Sequence, residues 1–175
     1  PPLRSSAASD VYKRQNLYRL APNLSLTHLL SNITVSNGIA FSENENIMYF
    51  ADTPTGRIQK FEYTKNFNKL YELETNMIFK NVGEPDGATV DIDNNYWSAR
   101  VRGKCIICID TKDEKIIEKI SLPTNTPTCV TFGGANLNSL YITSLRADPT
   151  SDNEGGNLHK IETSTKGRAQ LLADI

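Results

Sequence analysis

Two tripeptides, Ser36-Asn37-Gly38 and Pro85-Asp86-Gly87, stand about fifty residues apart, and each opens a short run of β-prone residues. An amide carbonyl and a carboxylate are hard oxygen donors. Completed by water, they suit one divalent cation such as calcium, magnesium or manganese, and zinc also accepts a carboxylate oxygen. A cation held between Asn37 and Asp86 would polarise a carbonyl group and lower the pKa of a bound water, which is what hydrolysis of an ester-like bond requires. Asp86 is therefore the candidate catalytic residue as well as a candidate metal ligand with Asn37, because a carboxylate in a narrow channel can hold or deprotonate the attacking water. Taken alone, Asn-Gly and Asp-Gly are common turn dipeptides, and Gly38 and Gly87 also serve tight packing. Their weight comes from their equivalent places in a repeat.

Asn37-Gly38-Ile39-Ala40-Phe41 is followed by a second run from Asn46 to Asp52 and a third from Arg57 to Phe61. The order recurs as Asp86 to Val90, Tyr96 to Ala99 and Lys104 to Asp110, and again, more loosely, as Thr128 to Phe132, Ser139 to Thr143 and Asn157 to Ile161. A period in the forties with several short strands per unit marks the blades of a β-propeller, each stacked on the next. The fold class is thus all-β. If the first run of each unit is an inner strand, Asn37 and Asp86 point into one channel mouth, while Thr128, in the third equivalent position, is expected to be a packed hydroxyl in preference to a channel-lining one. One blade is expected over 37–80, with 76–81 as its outer strand, and the next over 86–122, with 116–122 outermost. Leu17 to Leu20 and His28 to Leu30 read as the last strands of a preceding blade, which brings the set to about three and a half blades.

Ser5 to Gln15 reads as the translation, in register, of a transposase adapter used to prepare sequencing libraries. Residues 1–15 are accordingly set aside from the fold, and 16–175 are expected to be the C-terminal part of a single propeller domain. Composition fits a globular protein: 38% of residues are hydrophobic, 22% are charged and the net charge is −1. No apolar run reaches the ~20 residues of a membrane span. Without a cluster of Lys and Arg, the chain also lacks the cationic footprint of nucleic-acid binding.

Three cysteines, Cys105, Cys108 and Cys129, form no metal or redox motif, because a spacing of three on a strand places Cys105 and Cys108 on opposite faces. Their odd number leans toward a reducing compartment, and a cytoplasmic location is expected. Asp52 and Asp91 read as turn residues, Trp97 as core between blades and Lys112 to Lys119 as a solvated turn with an outer strand. His28 and His159 fall on strands away from the axis. The polar segment from Arg146 to Gly156 is expected to hang in solvent or cover a channel mouth.

Taken in order, Ser36 to Phe41 with Tyr49 to Asp52, Pro85-Asp86-Gly87 with Tyr96 to Ala99, and Pro127 to Gly134 with Leu140 to Ser144 resemble the SMP-30/gluconolactonase/luciferin-regenerating-enzyme family, which includes regucalcin. The resemblance runs over nearly everything from Asn16 onward. It implies a six-bladed propeller with one divalent cation on its axis, hydrolysing sugar lactones. It also implies that Asn37 and Asp86 are two of the metal ligands, while a Glu ligand and the substrate-contacting segments lie upstream of Asn16. On this reading the arc itself is expected to be inactive and the complete protein a lactonase. The competing expectation is a calcium-binding or regulatory propeller without turnover.

Overall fold

The structure, a computed structural model, describes residues 15–42, 46–64, 67–146 and 150–169. The adapter reading of residues 1–15 lies outside the described residues, save Gln15. Among them the regular elements are β-strands and two single 3₁₀ turns, Thr53–Thr55 and Lys80–Val82. No helix there is long and apolar enough to cross a membrane.

The strands make four antiparallel sheets in chain order. β1 (Gln15–Leu20) and β2 (Leu26–Ile33) form a two-stranded sheet. β3 (Ser36–Ser42), β4 (Ile47–Asp52), β5 (Arg57–Tyr63) and β6 (Leu70–Leu73) form a four-stranded meander, repeated by β7 (Glu84–Val90), β8 (Tyr96–Val101), β9 (Cys105–Asp110) and β10 (Lys115–Ser121). β11 (Pro127–Gly133), β12 (Ser139–Ser144) and β13 (Leu158–Glu162) make a three-stranded sheet. This is the β-propeller architecture expected from the repeat, with β3, β7 and β11 as adjacent first strands, β7 packing against both of the others.

Side chains alternate across each strand, so one strand serves two interfaces. Tyr49, Ala51 and Ile58 meet Tyr96, Cys105, Ile107 and Ile109 between the two four-stranded sheets. Trp97, Ile106 and Cys108 face the other way and meet Val130, Phe132, Leu140 and Ile142 of the last sheet. Met48 and Phe50 of β4 likewise turn toward Ile33. Full burial of one large apolar side chain contributes about 1.5–3 kcal/mol, and the middle strands β4, β8 and β9 are buried almost throughout. Trp97 and Phe132 stack edge to face with centroids 5.6 Å apart, an arrangement favoured by the ring quadrupoles.

Two expectations need correction. The outer strand of the first full blade is Leu70–Leu73, paired from Lys60↔Leu73 to Tyr63↔Leu70, and not 76–81. After Leu73 the chain leaves the edge of β5, buries Met77 completely, and returns only through an isolated bridge between Ile78 and Arg57. Nor does the segment after Arg146 simply hang in solvent. Asp152 is buried and accepts hydrogen bonds from Thr124 Oγ1 at 2.9 Å and the Asn125 amide at 2.8 Å. Its carboxylate thereby ties the loop to the segment before β11, while residues 147–149 of the loop lie outside the described residues.

Candidate metal centre

Each first strand carries one surplus residue near its start. Asn37 pairs with Ala51 but Ala40 with Tyr49; Pro85 pairs with Arg100 but Ala88 with Ser98; Pro127 pairs with Ser144 but Cys129 with Thr143. A bulge of this kind bends the strand and re-aims a side chain. The irregularity recurs in three neighbouring sheets, directly after Asn37 in β3, across Asp86 and Gly87 in β7 and at Thr128 in β11, so all three candidate residues stand at or next to the bulge of successive first strands. Gly38 sits at φ 61°, in the left-handed region, and a Cβ there would lie only 3.3 Å from the Asp86 carbonyl oxygen and 2.9 Å from Ala51 Cβ. A side chain at 38 would therefore hold β3 away from β7, and glycine permits the approach.

Thr53, at the start of the 3₁₀ turn after β4, joins β3 and β7. Asn37 Nδ2 donates to Thr53 Oγ1 at 2.7 Å, and Thr53 Oγ1 donates to the Pro85 carbonyl at 2.8 Å. The peptide preceding Asp86 is thus linked through one hydroxyl to the Asn37 side chain. With Nδ2 engaged by Thr53, the Asn37 Oδ1 atom is the amide's hard donor, and no hydrogen bond to it is formed among the described residues.

Asp86 is half-buried, and no salt bridge among the described residues involves it. Burial pushes its carboxyl above the ordinary aspartate value, opposed in part by the Gly87 amide. A desolvated carboxylate without a cationic side chain is suited to a metal ion or to accepting a proton. On its other side, a Cβ at Gly87 would lie 2.6 Å from Cys129 Sγ. Burial raises the Cys129 thiol, and the Asp86 charge adds to the effect. Thr128, on β11, pairs its hydroxyl with Thr143 Oγ1 at 2.8 Å.

Among the described residues there is no group of three His, Cys, Asp or Glu side chains able to hold a metal. The donors expected from the sequence are the Asn37 amide oxygen and the Asp86 carboxylate, on adjacent first strands. Two hard oxygens fit a cation of the calcium or magnesium type, and they leave most of its coordination positions to water or to other ligands. A cavity of about 630 Å³ opens farther along the first strands, between Ile39, Phe41, Tyr63, Thr89, Arg19 and Arg168, and does not include Asn37 or Asp86.

Other polar residues have structural work. Asp52 accepts the Thr34 and Val35 amides at 3.0 and 2.8 Å. Asp91 accepts the Asp93 and Asn95 amides, Asn95 Nδ2 and the indole Nε1 of Trp97. Asp91 opens the turn after β7, as its position implies, whereas Asp52 is the last residue of β4, paired with Ser36 and Arg57. His28 lies on β2 and His159 on β13, neither on a first strand. Thr53 and Cys129 carried no such signal in the sequence: Thr53 meets Asn37 and Pro85 only through the tertiary fold, and Cys129 reads as one thiol among three.

A family model described as "SMP-30/Gluconolactonase/LRE-like region" matches residues 4–146. The chain is 32% identical over 161 residues to the putative sugar lactone lactonase YvrE of Bacillus subtilis, covering 89% of this chain and 55% of that protein. It is 27% identical over 169 residues to the pentonolactonase XacC of Haloferax volcanii, covering 91% and 58%. The crystal structure of regucalcin from Agrobacterium tumefaciens, described as a calcium-binding protein, superposes with a TM-score of 0.85 at 24% identity over 94% of this chain and 57% of that one. At that identity the likeness speaks for the fold. The chain spans about half the length of the relatives it matches.

Proposed function

The chain belongs to the SMP-30/gluconolactonase/LRE-like family, and from that premise we propose that the whole protein hydrolyses sugar lactones at a divalent-cation centre to which this chain contributes Asn37 and Asp86. The observation that carries the reading is the recurring bulge, beside which an amide and a carboxylate stand near the starts of adjacent first strands. Relatives named as a sugar lactone lactonase and a pentonolactonase support the substrate class. The hard oxygen chemistry of the two side chains supports a divalent cation.

When bound, the cation would polarise the lactone carbonyl and stabilise the charge that develops on its oxygen. Asn37, its amide turned by Thr53, offers Oδ1 as a ligand. Asp86 orients the attacking water and accepts its proton as the water oxygen bonds to the carbonyl carbon. The ring C–O bond then breaks, and the departing ring oxygen takes up a proton to leave an open hydroxy acid. Burial favours this role, since it makes Asp86 a stronger proton acceptor than a solvated aspartate. With three free thiols, the chain suits a reducing compartment such as the cytoplasm.

The test is hydrolysis of D-glucono-1,5-lactone by the full-length protein, with and without chelator. Turnover lost on chelation, restored by calcium, magnesium, manganese or zinc, and reduced at least about 100-fold by Asp86→Ala is the expected result. Full activity in Asp86→Ala would refute the assignment. Cation binding without turnover of any sugar lactone would instead favour a regulatory propeller.

A further inference from the structure

We propose that Thr53 is a positioning residue that sets which face of the Asn37 amide meets the cation; this rests on the metal-centre reading above. The Pro85 carbonyl can only accept, so the hydrogen bond of 2.8 Å from Thr53 Oγ1 commits the hydroxyl proton to it. The same hydroxyl oxygen is then left with lone pairs, and only the NH₂ end of Asn37, 2.7 Å away, can satisfy one. Rotating the amide by a half turn would set Oδ1 against Thr53 Oγ1 with no proton between them. The terminal torsion of asparagine is otherwise broad and two-fold. One hydroxyl therefore selects the rotamer that leaves Oδ1, the ligand atom, turned away from Thr53.

Thr53 can do this because it is held on both sides. Its own amide donates to Val35 O at 3.1 Å, and the preceding Asp52 clasps the Thr34 and Val35 amides. The turn closes at Gly56, whose amide donates to Thr53 O at 3.1 Å. Pro54 follows within the turn and removes backbone freedom. The anchored hydroxyl also reaches the peptide immediately before Asp86, so the same atom that orients one ligand helps fix the distance to the other.

The test compares Thr53→Val, nearly isosteric but unable to hydrogen-bond, with Thr53→Ser, which keeps the hydroxyl. Full-length protein stripped with chelator is titrated with calcium chloride, magnesium chloride, manganese chloride or zinc chloride by isothermal calorimetry, and circular dichroism checks the fold. The inference expects cation affinity to fall roughly ten-fold in Thr53→Val, the worth of one hydrogen bond, and to stay within about two-fold of wild type in Thr53→Ser. Wild-type affinity in a folded Thr53→Val protein would overturn the role of Thr53 and leave the centre standing. A folded Thr53→Ser protein that binds weakly would also overturn it, since the hydroxyl would be present without effect. If the wild type binds none of the four cations, the metal-centre reading fails, and the role of Thr53 with it.

Discussion

The Tyr96 hydroxyl donates a buried hydrogen bond of 2.7 Å to the carbonyl of Gly38. It crosses from the second strand of one blade to the bulged first strand of its neighbour, directly beside Asn37. Two features of Gly38 meet here. Its φ of 61° is a conformation that L side chains resist, and a Cβ would collide with the Tyr96 hydroxyl itself.

Gly38→Ala is expected to cost about 3 kcal/mol, combining left-handed backbone strain with overpacking. Tyr96→Phe leaves the Gly38 carbonyl buried without its donor and is expected to cost about 1–2 kcal/mol. The two should not add. Removing the hydroxyl makes room for the new methyl, so Gly38→Ala should cost less in the Tyr96→Phe background than in the wild type. Urea denaturation of the four proteins measures the cycle, and strict additivity would show that the hydroxyl does not limit space at position 38.

Asp86→Asn tests the balance between function and stability. The carboxylate is half-buried without a salt bridge among the described residues, so it costs free energy when no cation is bound. The metal-free variant is expected to melt at a higher temperature than the metal-free wild type, while losing cation binding. Saturating cation should reverse the order by stabilising only the wild type. A lower melting temperature for the metal-free variant would mean that Asp86 has a favourable structural role.

Much of this architecture was readable because strands advertise themselves with a period of two. The spacing of three between Cys105 and Cys108 implied opposite faces, and the two thiols do enter different interfaces. That Asn37 and Asp86 fall near the starts of first strands was legible from the repeat of short strands. What escaped was set by contacts between sheets. Met77-Ile78-Phe79 looks like an edge strand by composition, yet Met77 turns into the core and only Ile78 bridges β5. Asp152 lies among polar letters that read as solvated, and only the fold brings the Thr124 hydroxyl and Asn125 amide to it. Thr53 follows the same rule, since its two partners come from different blades.

The thiols give a direct check on the interfaces. Cys105 and Cys108 are buried and Cys129 is exposed. Burial raises the Cys105 and Cys108 thiols, partial desolvation of the sulfur raises that of Cys129, and for Cys108 the charges of Asp91, Glu118 and Asp110 add to it. Reaction requires thiolate and access together. In native protein, a disulfide reagent such as Ellman's is expected to modify Cys129 alone, with Cys105 and Cys108 reacting only in denaturant. Mass spectrometry of the labelled peptides identifies the sites, and rapid native labelling of Cys108 would contradict the packing of β9 against the last sheet.

Acid sensitivity is expected from the edge of the last sheet. Ser139 Oγ lies 2.9 and 3.0 Å from the two carboxylate oxygens of Glu162, its partner across β12 and β13, and Lys160 Nζ lies 2.7 Å from Glu162 Oε1. The Lys160 hydrogen bond and then the Ser139 hydroxyl hold the Glu162 carboxyl below its ordinary value. A carboxyl depressed in the folded state binds fewer protons there than in the unfolded chain, so its contribution is present above the ordinary glutamate pKa and is lost as pH falls through the folded value. Glu162→Gln keeps the size of the side chain and removes that titration. The wild type is expected to be slightly more stable than the variant at pH 7, with the gap closing as the pH is lowered through the carboxylate range. The site is exposed and its ion pair screened, so the gap should also shrink in high salt. Denaturant midpoints of both proteins across pH measure it, and a gap that persists undiminished in acid would place the stabilisation in packing at β13 and not in the charge of Glu162.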